Sequence, residues 1–137
     1  MDTNEKFTIP LMTGKDVLDA LKDIKSHKAT GIDNINARLL KVAALIIVPS
    51  VTKIMNLSLA SANFPRRWKT AKVTPLFIDG ERDNVTNYNP ISVLPVLSKI
   101  IEKHVHKHLY RYMTQNNLIY TSQSGFHRHH STETALI

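Results

Sequence analysis

Three groups of side chains in this 137-residue sequence have types and spacings that could carry chemistry. Asp79, Glu81 and Asp83 bring three carboxylates close together, the donor type that hard divalent cations take. They lie in Asp79-Gly80-Glu81-Arg82-Asp83-Asn84, which is rich in turn formers, and a solvated turn is the reading these residues favour. His104 and His108 stand four apart, the spacing at which two imidazoles on one helical face reach a single zinc, and His127, His129 and His130 cluster downstream. The first pair adjoins an apolar stripe and has no Glu between its members, so packing is favoured over ligation. Gly31 and Gly125 lack the Gly-x-x-x-x-Gly-Lys context of a phosphate-binding loop and read as turn residues.

The third group is basic. Lys99, Lys103, Lys107 and Arg111 recur at four-residue intervals, which sets four cations in one row on a helix. Such a row can follow a phosphate backbone, and the alternative is a solvated helix face. Arg66, Arg67, Lys69 and Lys72 surround Trp68, a grouping able to combine phosphate contact with base stacking, although Trp68 reads first as a core anchor. Eighteen Lys and Arg against eleven Asp and Glu give a formal charge of +7, which favours a polyanionic partner. With no cysteine there is no disulfide framework and no thiolate metal site. The mixed-charge start Met1-Asp2-Thr3-Asn4-Glu5-Lys6 does not resemble a secretory signal, and an intracellular setting, cytoplasm or nucleus, is expected. The most apolar run, residues 42–48, is too short to span a bilayer; it reads as core, and no membrane partner is expected.

The elements that must position these groups follow from periodicity. Residues 1–12 show no period and read as an extended N-terminal segment. Thr13 and Asp16 form a capping pattern before Val17, Leu18, Leu21 and Ile24, which predicts a short surface helix. Residues 28–34 read as a loop, with Asp33 or Asn34 capping a helix from about residue 36 to 48. Pro49 is expected to break that helix and to open another, carrying Val51, Ile54, Met55, Leu57 and Leu59. Residues 71–78 are rich in β-formers and precede a polar turn, so a strand is expected there, with residues 88–93 returning beside it; Pro75 implies an edge or a bulge. From Leu97 to about Met113, Ile100, Ile101, Val105, Leu109 and Tyr112 make one apolar face of a long helix. Beyond it the chain turns irregular, and a helix from Ser131 stops unfinished at Ile137. The fold class expected is α+β, mainly helical, with a short β-hairpin.

Four stretches in order resemble the reverse-transcriptase domain of non-LTR (LINE-like, jockey-like) retrotransposons. They are Lys28-Ala29-Thr30-Gly31-Ile32-Asp33-Asn34-Ile35 with Leu39-Leu40-Lys41; Phe64-Pro65, Trp68-Lys69 and Ala71-Lys72-Val73-Thr74-Pro75-Leu76-Phe77; Asn87-Tyr88-Asn89-Pro90-Ile91-Ser92-Val93-Leu94-Pro95 running into Ser98-Lys99-Ile100-Ile101-Glu102-Lys103; and Gln123-Ser124-Gly125-Phe126-His127 with Ser131-Thr132. The resemblance implies an incomplete fingers portion, and the start of the palm, of a right-hand polymerase. It divides into N-terminal helices in 13–63, a fingers hairpin region in 64–95, and a long basic helix with a connection towards the palm in 96–137.

The implied parent activity is RNA-directed DNA synthesis with Mg2+ as cofactor, an RNA template and a DNA primer. The family's catalytic aspartates would follow Ile137, so the chain alone is expected to be inactive, to bind no metal and to have no catalytic residue. Residual nucleic-acid contact is expected from Lys28, Lys72, Arg82, Lys99, Lys103 and Arg128; the sequence leaves the oligomeric state open. A non-catalytic nucleic-acid-binding module and a non-functional relic are the alternatives. Three departures bear on them. Where the family usually has Lys after Pro-Leu-Phe, Arg between Tyr and Pro, and Arg after Gly-Phe, this chain has Ile78, Asn89 and His127. The resemblance puts the first two on the hairpin that closes over the triphosphate, so their neutral side chains imply weakened nucleotide binding, and the pattern suggests a decayed copy.

Overall fold

A computed structural model describes residues 7–27, 29–120 and 125. Its first helix, α1 (Gly14–Asp23), starts where local chemistry dictates. The Thr13 hydroxyl accepts from the Asp16 amide at 3.1 Å, and the Asp16 carboxylate accepts from the Thr13 amide at 2.8 Å, closing a reciprocal cap. Val17 and Leu21, one turn apart, are fully buried, while Lys15 and Asp19 pair on the outer face.

The next helix, α2 (Ala37–Val42), is capped by Asn36, whose side-chain oxygen accepts from the Leu39 amide at 2.8 Å. This corrects the expectation of Asp33 or Asn34 as the cap. Asp33 instead accepts from the Ile35 amide two residues on, a local turn that competes with helix initiation, and Asn34 sits at φ 56°. Gly31 is needed for a different reason: a Cβ there would lie 2.6 Å from the Pro95 nitrogen, so this loop rests directly on the backbone ahead of the last helix.

A second correction concerns Pro49. The helix breaks at Ala43, and α3 (Ala44–Ser61) runs through Pro49 without interruption. A helical proline leaves the carbonyl four residues back, that of Leu45, without its usual partner. Both Pro49 and Leu45 are exposed, so they share the solvent side of the helix, where water can satisfy that oxygen. The apolar run of residues 42–48, expected as core, is core only in part: Val42, Leu45 and Ile46 are 82%, 75% and 83% exposed, whereas Ala44 is buried and Ile47 and Val48 pack half-buried against the core. The buried side of α3 comes later, at Val51, Met55 and Ser58, facing α1. Among the described residues α3 is also the one helix long and apolar enough to cross a membrane by length and composition.

Ala62 at φ 53° ends α3, and Phe64 and Trp68 meet edge to face at 6.1 Å around the one-turn helix α4 (Arg66–Lys69). Strands β1 (Lys72–Phe77) and β2 (Tyr88–Val93) then form an antiparallel hairpin, as expected. Pro75 faces Pro90. Counting alternate pairs from the Ile78–Asn87 hydrogen bond places both prolines at a non-hydrogen-bonded position, where neither costs the ladder a donor. Neither strand buries a side chain.

The last described helix, α5 (Val96–Gln115), buries Val96, Ser98, Ile100 and Ile101 against α1 and α3 residues of one core. The apolar face expected to continue to Tyr112 is buried only over this first part. Val105 and Tyr112 are half-buried and Leu109 is exposed, because no described helix covers the distal turns. The N-terminal segment crosses the bundle without regular structure: the Asn56 side chain binds the Met12 amide and carbonyl at 2.8 and 2.9 Å, and Phe7 lies 5.0 Å from Tyr112. The helix expected from Ser131 lies outside the described residues. The described chain is thus mostly helical with one two-stranded sheet.

Candidate nucleic-acid interface

On α5, Lys99, Lys103 and Lys107 of the four-residue row line grooves that also hold carboxylates of α1. Asp16, Asp19 and Asp23 of α1 line the same groove as Lys103, His104 and Lys107. Lys103 reaches Asp23 at 3.3 Å, with both side chains mostly exposed, so the pair contributes at most about 1 kcal/mol. The Lys107 charge is felt at Asp16, whose carboxyl is held below its ordinary value first by the Thr13 hydroxyl, then by the Thr13 amide, with His104 and Lys107 adding to both. The row is therefore part of an interhelical charge pattern. The acids at positions 16, 19 and 23 recur at helical spacing in the sequence, and that was the signal available for this facing row.

The histidine pair is structural. His104 Nε2 donates to the Pro10 carbonyl at 2.7 Å, which fixes the N-terminal segment on α5. Its ring lies 4.5 Å from that of His108. Partial burial, then the charges of His104, Lys107 and Arg111, hold His108 below the ordinary imidazole value. His127, His129 and His130 lie outside the described residues.

The hairpin end is a fastened loop. Arg82 stacks over the Phe77 ring at 5.0 Å, Tyr88 donates to the Arg82 carbonyl at 2.7 Å, and the Phe77 and Tyr88 rings meet at 5.4 Å. Asn87 donates to the Glu81 carbonyl at 2.9 Å, and Gly80, at φ 83°, leaves room for that amide. Arg82 is thereby held on an aromatic face and its guanidinium remains at the surface. Ile78 and Asn89, the two neutral departures, fall on one face of the hairpin by strand alternation and are both exposed.

Asp79, Glu81 and Asp83 are exposed on the same loop, and among the described residues no three His, Asp or Glu side chains group so as to hold a metal ion. The donor set that magnesium-dependent chemistry would need does not fit this part of the chain. Of the six expected contact residues, Lys72, Arg82, Lys99 and Lys103 are exposed but do not form one cluster by element: they stand on β1, the hairpin loop and α5. Lys28 and Arg128 lie outside the described residues. Trp68 is half-buried and packs against the core, which leaves Arg66, Arg67 and Lys69 outward.

The described residues thus form a helical body carrying an exposed two-stranded hairpin, with Arg66, Arg67, Lys69 and Lys72 exposed from α4 to the start of the hairpin. No family model matches the sequence. Curated relatives do. The chain is 28% identical over 135 residues to a probable RNA-directed DNA polymerase from transposon BS of Drosophila melanogaster, and 27% identical over 134 residues to the RNA-directed DNA polymerase from mobile element jockey of the same organism. Each match covers 96% of this chain and 15% of the relative. A third relative, a probable RNA-directed DNA polymerase from transposon X-element of Drosophila melanogaster, is 25% identical over 118 residues, covering 85% of this chain and 13% of the relative. The chain is related by sequence to the RNA-directed DNA polymerases of non-LTR retrotransposons, as its four motif stretches implied, and it spans 15% of the length of the first two of these relatives.

Proposed function

We propose that this chain is the fingers portion of a retrotransposon RNA-directed DNA polymerase, and that it holds RNA template and DNA primer strands without extending them. The observation that carries this reading is the end-to-end similarity to retrotransposon polymerases, which takes in 96% of the chain. The exposed hairpin and the surplus of cations are in keeping with it. Polymerases of this kind use Mg2+ to activate the primer hydroxyl and neutralise leaving phosphates, and the described acids offer no cage for it. By itself the chain binds RNA and leaves the chemistry undone.

Two measurements on the purified chain test this. Primer extension on an RNA template with Mg2+ gives no incorporation; incorporation abolished by a chelator would overturn the inactive assignment. Anisotropy with labelled single-stranded RNA gives binding that weakens steeply with salt, and weak binding with a flat salt response removes the strand-holding role.

A second reading, a relic without function, is favoured by the exposed apolar residues Leu39, Val42, Leu45 and Ile46 and by neutral Ile78 and Asn89. A cooperative unfolding transition of the isolated monomer counts against it.

A further inference from the structure

The formal charge of +7 is not spread along the chain. Between Asp33 and Asp79 no carboxylate occurs, and that interval holds seven Lys and Arg, equal to the whole net charge. The other eleven are matched by the eleven acids. Four of the seven, Arg66, Arg67, Lys69 and Lys72, fall within one turn of helix and the start of a strand.

The fold holds these four outward. Trp68, packed on the core and braced by Phe64, fixes α4 through the one large apolar side chain in its turn. Thr70 Oγ1 donates to the Arg66 carbonyl at 3.3 Å and carries the chain out of α4, after which Lys72 opens β1. All four cations are exposed, and among the described residues none is ion-paired. Lys103, by contrast, is paired to Asp23, and Lys107 shares its groove with Asp16. Four like charges at close spacing repel one another, and a polyanion offsets that repulsion where no neighbouring carboxylate does.

We propose that α4 and the first residue of β1 form the site that takes the phosphate backbone of a single RNA strand, with Arg66, Arg67, Lys69 and Lys72 as the contacts and the α5 row in a minor part. The proposal rests on the strand-holding function proposed above and specifies where it resides. One helical turn and three extended residues span at most about 16 Å, the length of a few nucleotides of one strand rather than a turn of duplex. Arginine at two of the four positions suits bidentate phosphate contact.

The test measures binding of the full chain to fluorescein-labelled oligo(U) across a salt series. The R66Q/R67Q/K69Q/K72Q variant flattens the log K against log salt slope by up to about 2.8, at about 0.7 per lost cation on a single strand. K99Q/K103Q/K107Q flattens it by less than about 1, because those lysines already face carboxylates. R66K/R67K keeps the wild-type slope, since both charges remain. Thermal melts of each variant check the fold, and should the quadruple variant unfold, R66Q and K72Q alone each give a step of about 0.7.

A wild-type slope in the quadruple variant, or the larger loss in the α5 variant, overturns the proposal. RNA binding absent from the wild-type chain overturns the strand-holding function itself, and this site with it. Binding to phosphatidylglycerol vesicles that depends on the same four residues, without RNA binding, reassigns the patch to lipid and equally overturns the proposal.

Discussion

Asp16 does two jobs with one carboxylate: it closes the α1 cap and stands across the groove from His104 and Lys107. Its proton affinity is depressed in the folded chain, so its stabilisation is present above the ordinary value of 3.8 and is lost as pH falls through the folded value. Asp16→Asn keeps an acceptor near the Thr13 amide but removes the charge. It should lower stability at neutral pH by about 0.5–1 kcal/mol and flatten the acid limb of a denaturation series below about pH 4. An unchanged acid limb would show that the cap is not what titrates. At the hairpin, Ile78 and Asn89 share one exposed face, so Ile78→Lys with Asn89→Arg restores two cations without disturbing packing. Tighter binding of inorganic tripolyphosphate is the expected outcome in calorimetry; equal affinity would mean that this face does not meet phosphates in the chain as it stands.

At the scale of elements, His104 ties α5 to the N-terminal segment, and the His108 ring lies against it. Because His108 takes up its proton less readily folded than unfolded, stability is full above the ordinary imidazole value of 6.5 and declines as pH falls through it. The groups acting on it are His104, Lys107 and Arg111, which lower its affinity, and Asp16 from α1, which raises it. Melting temperatures should drop between about pH 7.5 and about pH 5, and His108→Gln should lessen that drop; an equal drop in the variant would place the titration elsewhere. The elements differ in how plainly the sequence announced them. The α1 cap, the hairpin and α5 were legible because a capping pair, a turn cluster and a sustained apolar stripe are each local signals. The break at Ala43 was not, since whether Pro49 stops a helix depends on which side of it meets water. Nor could spacing alone say that Lys103 and Lys107 would find α1's acids opposite, because helix–helix docking sets that.

The whole molecule keeps its apolar and its cationic surplus in the same third of the chain. Leu39, Val42, Leu45 and Ile46 surround the α2–α3 elbow and are all more than half exposed, a patch that favours association. Leu45→Lys with Ile46→Lys should leave stability within about 0.5 kcal/mol while reducing self-association in sedimentation equilibrium. Loss of folding in that variant would show the face to be core after all. The candidate site was only half legible for a related reason. Arg66, Arg67, Lys69 and Lys72 were legible as a basic group around Trp68 beside the α5 row, but what sets them apart from that row, a stretch free of acids, is a pattern of absence. The facing prolines of the hairpin have a last consequence. Position 75 on one rim and position 90 on the other are the middle places from which an amide would point away from the sheet, and both are proline. A strand from another molecule arriving at either rim finds donors only at Val73 and Phe77, or at Ser92 and Tyr88, too sparse to seed a third rung of backbone pairing. Clusters that form when the protein is concentrated are then held by side chains alone, and dilution should dissolve them rather than leave fibrils behind.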